Sequence, residues 1–421
     1  MHRVIAALMA AASCASIAQA QEAPVVSPAA PFSLERALEL AGASAPSIEA
    51  ASAGVRAAEA ARTVAGYRPN PTIVAETENV AGSGQYRGLR SAETTAGLAL
   101  PIELGGKRSA RIAVAEAQGS RAQIAAAIAA ADLRLAVTQA YVEAVAAERR
   151  LATARDQAGI AREALRAASV RVRAGRASPI EEQRADVVRI NAEAAVERGE
   201  RLAIVARDNL ARRIGQPITG PLDIAWFDRV EGYGPALPRE PGGTLALAAA
   251  QADVTTAAAQ VRLARTQRVP DVTVSASARR LEATNDVAAV FGVSIPFPVF
   301  NRGTAAVIQA SAQADQAEAL RRVAELEAAQ ALGNAEAEVA NAATTARAAS
   351  GPALAAAQEA ARIARIGYRE GKFGQLDLLD AERTLSQTRT AAIDALAAYR
   401  DARARRDRLA TPAPDLSRND R

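Results

Sequence analysis

Aromatic residues make up only 3% of the 421 positions, and the chain holds one histidine, one cysteine and two lysines. Each scarcity removes a class of protein. So few aromatic rings leave a globule of this length short of core, because rings supply the largest buried areas. His2 and Cys14 both lie in an N-terminal leader. That leader has Arg3, an apolar stretch over residues 4–12 and a small-x-small site at Ala18-Gln19-Ala20, the pattern of a secretory signal peptide spanning residues 1–20. A rival reading is lipidation at Cys14 after Ala-Ala-Ser, weakened by Ala11 where a leucine is usual. With cleavage after Ala20, the mature chain begins at Gln21 without thiol or imidazole. That excludes disulfides, Cys or His catalysis and metal sites built on those ligands, and points away from an enzyme. No run of 18 apolar residues follows the leader, so no membrane-spanning helix is expected.

Half the residues are hydrophobic, much of that being alanine, and all but two of the 51 basic residues are arginine. The net charge of +5 could suggest nucleic acid. However, the arginines alternate with Glu and Asp along Pro-free stretches, and no aromatic residues are interleaved for base stacking. The arginines read as helix faces. Ala, Arg, Glu and Leu at helical spacing describe long helices packed side by side.

The chain repeats itself with an offset of 196 residues. Gly371 overlies Gly175, Leu376 overlies Ile180 and Glu382 overlies Asp186. Each glycine reads as the left-handed residue just past a helix end, with acids in the first turn of the next helix. Two runs of 68 residues, 107–174 and 303–370, precede these turns, and Gly351-Pro352 should interrupt the second. At 1.5 Å per residue each run would reach roughly 100 Å. Return helices are expected over 179–214 and 375–410.

Ahead of each long run stand a shorter helix (33–66, with a break at Pro46, and 244–268) and two stretches with a period of two. These strands cover about 72–80 and 94–102 in the first half and 271–281 and 287–295 in the second. Ala96, Leu98, Leu100 and Ile102 share one face; Val287, Ala289, Phe291, Val293 and Ile295 share another. Ten alternating residues suit a strand crossing a membrane. An open sheet edge cannot lie in lipid, so four strands need further copies, and three chains would give twelve. Tyr67, Tyr86, Phe291, Phe297 and Phe300 read as interfacial girdles. A Pro/Gly-rich connector with the only tryptophan, Trp226, spans 215–243, and a polar tail, expected to be disordered, spans 411–421. The first repeat is therefore 21–214 and the second 244–410.

The sequence ELGGKR at 103–108, VPDVTV at 269–274, IPFPVFNRG at 295–303 and YREGKFGQLDLLDAE at 368–382, set in two matched halves, resembles the outer-membrane efflux (TolC) family. PIELGGKRSARIAVAE, from 101, is most similar to the CzcC-like heavy-metal branch. The resemblance implies a mainly α chain with a small β part, built from two helix–β-hairpin–long helical hairpin repeats. Such chains trimerise into a 12-stranded outer-membrane β-barrel continued by a periplasmic α-helical barrel. It implies no enzyme activity and no cofactor. The implied partners are a periplasmic adaptor and an inner-membrane pump. The adaptor would dock at the tips, here Gly175, Arg176, Ser178, Gly371, Lys372 and Gly374. The family's gate acids map onto Asp377 and Asp380, and its bracing tyrosine onto Tyr368. Phe373 stands where the bracing arginine belongs, with Lys372 beside it. In the first repeat Glu181 overlies Asp377, but Arg184 overlies Asp380.

Read without the resemblance, Asp377 and Asp380 are two acids on one helix face, which a lone chain would carry as solvated, dipole-complementing charges. Tripled around an axis they would form a cation-attracting ring. Three functions remain open at this point: an exit duct for divalent heavy metals, the same duct for drugs or secreted proteins, and a periplasmic coiled-coil scaffold with no pore.

Overall fold

The computed structural model describes residues 31–231 and 243–415. The leader, with its cleavage and lipidation sites, lies outside the described residues. Ser33 caps the first helix, its hydroxyl accepting the Arg36 N–H at 3.3 Å. Helix α1 (Leu34–Ser44) stops at Ala45, and Pro46 occupies the first position of α2 (Pro46–Ala65), where its missing N–H costs nothing. Next come strands β1 (Thr72–Glu78) and β2 (Glu93–Ile102), then α3 (Lys107–Arg173), an unbroken helix of 67 residues. Helix α4 (Pro179–Ile214) returns beside it.

The connector carries a short helix, α5 (Ile224–Asp228). The second half then gives α6 (Leu245–Thr266), β3 (Val272–Leu281), β4 (Asp286–Ser294), α7 (Thr304–Ala348), α8 (Leu354–Arg369) and α9 (Gln375–Leu409). Between α7 and α8 a π-helical turn at Ala349–Ala353 holds Pro352. Proline cannot donate to the carbonyl four residues back, and a wider turn accommodates that loss without ending the helix.

Helix α3 packs against α2, α4, α6 and α9, while α7 lies against α6 and α9. One window of α3 has a mean hydropathy of 1.2, enough by length and composition for a membrane span. Its apolarity is largely alanine, the residue that lets helices approach closely. The core reflects this: most buried positions are alanines, and the largest cluster of large side chains lies at mid-length, with smaller ones around Leu385 and around Tyr368 and Leu378. There Val137, Tyr141 and Val145 of α3 meet Leu210 of α4, Phe227 of α5, Val339 of α7 and Tyr399 of α9. Tyr141 donates to the Phe32 carbonyl at 2.6 Å and accepts the Asp223 N–H at 2.9 Å. Arg400, 3% exposed, lies 4.3 Å from the Trp226 ring centroid and donates to the carbonyls of Trp226 and Arg229. The only tryptophan thus fastens the connector to the helical body.

Several other arginines bridge neighbouring helices. Arg150 meets Asp394 at 2.8 Å, Arg405 meets Glu338 at 3.0 Å and Arg121 meets Asp253 at 2.8 Å. Exposed pairs of this kind contribute at most about 1 kcal/mol each.

Two expectations need correction. Residues 411–415 do not begin a disordered tail: Thr244 bridges to Pro412, and the Ala413 N–H reaches the Gly243 carbonyl at 2.8 Å. Residues 232–242 of the connector and 416–421 of the tail lie outside the described residues. In addition, Phe291 sits mid-strand in β4, opposite Ala276, rather than at a strand end where a girdle would place it.

Candidate functional site

The sheet is antiparallel in the order β1-β2-β3-β4, which leaves β1 and β4 as open edges. Its registry sorts side chains into two unlike faces. Ile73 pairs with Leu98, Leu98 with Ala276, and Ala276 with Phe291, so these share a face with Leu100, Val274 and Val293. That face is bare: Ile73 is 84% exposed and Phe291 80%. The opposite face holds Glu76, Glu78, Glu93, Thr95, Ser275, Ser277 and Arg279. Here Arg279 bridges Glu93 at 2.9 Å and Glu78 at 3.1 Å and donates to the Thr95 hydroxyl at 3.0 Å. Gly97 lies so close under Ser277 that a Cβ would come within 2.3 Å of the serine Cβ. One face thus carries polar and charged residues with small ones between them, and large apolar residues cover the other.

Strand β1 ends two residues earlier than its alternation suggested, because Asn79 adopts a positive φ of 58°. The other strands begin or end within one residue of the expected positions.

At the far end of the helices the two tips are built alike. In the first, Gly175 has φ 68°; its N–H donates to Val172 O at 2.9 Å and the Arg176 N–H to Arg171 O at 2.9 Å. In the second, Gly371 has φ 73°, with the Gly371 N–H on Tyr368 O at 3.2 Å and the Lys372 N–H on Gly367 O at 2.8 Å. Each is a Schellman closure around a left-handed glycine. Gly175, Arg176, Ser178, Gly371, Lys372 and Gly374 are all exposed. The caps differ. Ser178 caps α4 with its hydroxyl, whereas Gly374 has no side chain and Asp377 reaches back instead, accepting the Gly374 N–H at 2.9 Å.

Asp377 therefore has a local structural duty as well as a charge. Asp380, one turn on, is exposed and has no hydrogen bond or ion pair among the described residues. Both line a groove of about 960 Å³ between α9 and the α3–α4 hairpin, together with Gln157, Arg383 and Ser386. Among the described residues no three Asp or Glu converge as a metal cage.

Three contacts fix the second tip, two to the first hairpin and one to the last turns of α8. The Arg171 guanidinium lies 4.9 Å from the Tyr368 ring centroid, so the cation beside this tyrosine comes from α3 rather than from the tip turn. The Phe373 ring is folded onto Gly367, where a Cβ would come within 2.1 Å of it. Gln375 donates its side-chain amide to the Glu181 carbonyl at 2.9 Å. A little higher, Arg365 forms a two-pronged pair with Glu382, which is 5% exposed; the carboxylate raises the guanidinium pKa.

Sequence reasoning named none of these partners, though two signals pointed to them. Residues 365 and 382 are equidistant from a hairpin centred near 373, and the 196-residue offset puts Arg171 at the height of Gly367 and Tyr368. The arrangement offers an exposed apolar sheet face at one end and a tip with charged residues at the other.

Known proteins share this arrangement. Residues 37–216 and 243–409 match the family described as outer membrane efflux protein. The chain is 33% identical over 370 residues to the cobalt-zinc-cadmium resistance protein CzcC of Cupriavidus metallidurans, covering 86% of this chain and 85% of that one. It is 32% identical to the nickel and cobalt resistance protein CnrC of the same organism, over 68% of this chain and 66% of the relative. The crystal structure of the outer membrane protein VceC from Vibrio cholerae superposes with a TM-score of 0.74 at 19% identity, over 90% of this chain and 96% of that one. The chain belongs to the outer membrane efflux protein family.

Proposed function

We propose that three copies of this chain form the passive exit duct of a tripartite efflux system, with no catalytic step of its own. The observation that carries the proposal is the sheet: four strands, two open edges, an exposed apolar face and a polar one. In hydrocarbon the edge N–H and C=O groups must be paired, and copies of the same sheet supply those partners by joining β4 of one chain to β1 of the next. Twelve strands then enclose a lumen faced by Glu76, Glu78, Glu93 and Arg279, and the helices continue the wall into the periplasm.

In this reading the tips around Gly175, Arg176, Ser178, Gly371, Lys372 and Gly374 meet a periplasmic adaptor, which links the duct to an inner-membrane pump of the resistance-nodulation-division type. Asp377 and Asp380 form the periplasmic gate, and Tyr368, held by Arg171, braces it. The relatives' names support divalent heavy-metal cations as cargo. A duct needs no tight metal site, since conduction requires binding weak enough to release the ion.

Deleting the gene from its host should lower tolerance to cobalt, zinc or cadmium ions, and the wild-type gene supplied in trans should restore it. Unchanged metal tolerance alongside lost drug tolerance would overturn the choice of cargo while leaving the duct in place.

A further inference from the structure

Where the second repeat passes from sheet to helix, a pocket of about 610 Å³ is lined by Arg265, Arg268, Val269, Phe297, Pro298, Val299 and Arg302. Three arginines line it, and none has a carboxylate partner among the described residues. Arg268 crosses directly over Gly303, where a Cβ would meet its Cγ at 2.9 Å. The corresponding junction of the first repeat is organised differently. There Lys107 pairs with Asp271 at 2.6 Å, Arg111 pairs with Glu103, and Arg108 donates to the Gly66 carbonyl. Lys107 and Arg111 thus each have a carboxylate, that of Lys107 coming from just before β3, whereas Arg265, Arg268 and Arg302 have none among the described residues.

The apolar half of the pocket is equally exposed. Phe297 is 87% exposed and Val299 55%, and Phe300 beside them is fully exposed. They follow β4 directly, at the end of the strand nearest the helices, next to the apolar face of the sheet.

We infer that this pocket binds an anionic phospholipid of the periplasmic leaflet, its phosphate held by Arg265, Arg268 and Arg302 and its acyl chain lying on Phe297 and Val299. The inference rests on the outer-membrane reading above, which sets this height at the membrane boundary. Guanidinium groups bind phosphate through paired hydrogen bonds, exposed aromatic rings favour the interfacial layer, and basic pockets at that level select anionic headgroups. Inorganic phosphate shares the headgroup chemistry but cannot use the apolar wall.

The test is thermal unfolding of the purified full chain in dodecyl maltoside, titrated separately with short-chain phosphatidylglycerol, short-chain phosphatidylcholine and inorganic phosphate. Phosphatidylglycerol should raise the melting midpoint, and the other two should not at equal concentration. Replacing all three arginines by glutamine should raise the half-maximal phosphatidylglycerol concentration by about a hundredfold. The Arg265→Lys, Arg268→Lys, Arg302→Lys variant should retain most of the response. An equal shift with phosphatidylcholine or phosphate, or an unchanged response in the glutamine variant, would overturn the inference. So would loss of the assembled state in the glutamine variant before lipid is added, which would assign these arginines to contacts between copies. A chain that stays soluble and monomeric without detergent would instead refute the membrane reading, before any lipid is tested.

Discussion

Asp377 and Asp380 divide a task that two acids one turn apart could have shared. Asp377 closes the N-terminus of α9 through the Gly374 N–H, a duty that falls to it because glycine at the cap position has no side-chain acceptor. Asp380 carries no such bond, and its charge is open to solvent beside the groove between α9 and the α3–α4 hairpin. Three-fold assembly would bring six carboxylates round one axis, where they repel each other and attract cations. Replacing both by asparagine removes the charge, while the amide oxygen at 377 can still accept the Gly374 N–H. In planar bilayers the double variant should lose its preference for cations and its sensitivity to divalent ions on the periplasmic side. The difference should fade as salt shortens the screening length to roughly 10 Å at 0.1 M. An unchanged current–voltage relation at low salt would place both acids outside the conduction path.

At the scale of elements, the hairpin tips combine a rigid closure with an exposed surface. A Cβ at Gly371 would meet nothing within 4 Å, so the glycine is required by its φ of 73° and not by crowding. Gly371→Val should therefore strain the turn by roughly 1–2 kcal/mol without touching the packed body of the helices. Efflux and capture of the adaptor should fall while the amount of assembled protein in the outer membrane stays near normal. A collapse in the assembled protein would mean the turn serves folding and would remove the support for docking there. The elements themselves were legible in the sequence because their signals are local: period two over ten residues, proline-free helical runs, a glycine at each reversal. The side-chain partnerships were not, because Arg171 and Tyr368 are separated by α4, the connector, α6, a β-hairpin and α7. Phe373 also misled as a gap in a bracing pair, since its actual role, covering Gly367, depends on a helical residue that lacks a side chain. The early residues of the tail looked disordered by composition, yet their order comes from backbone bonds to Gly243 and Thr244, which composition does not encode.

The whole molecule is an unfinished object as a single chain. Its most exposed apolar side chains, Phe300, Phe297, Ile73 and Phe291, lie on the apolar face of the sheet and at its junction with the helices, and both outer strands leave an edge of backbone unpaired. Exposed apolar residues also run along α4, among them Ile180, Val187, Ile190 and Leu202, a surface for a neighbouring helix rather than for water. In the proposed assembly, copies round an axis pair the open edges and cover α4 while the apolar sheet face meets lipid, and four strands from each of three chains close a twelve-stranded barrel. The direct measurement is the protein mass of the purified mature chain in mild detergent, taken by light scattering corrected for bound detergent, with circular dichroism on the same sample. The mass should be that of three chains, with a dominant helical spectrum and a β contribution. A single chain that remains soluble and folded without detergent would contradict the account.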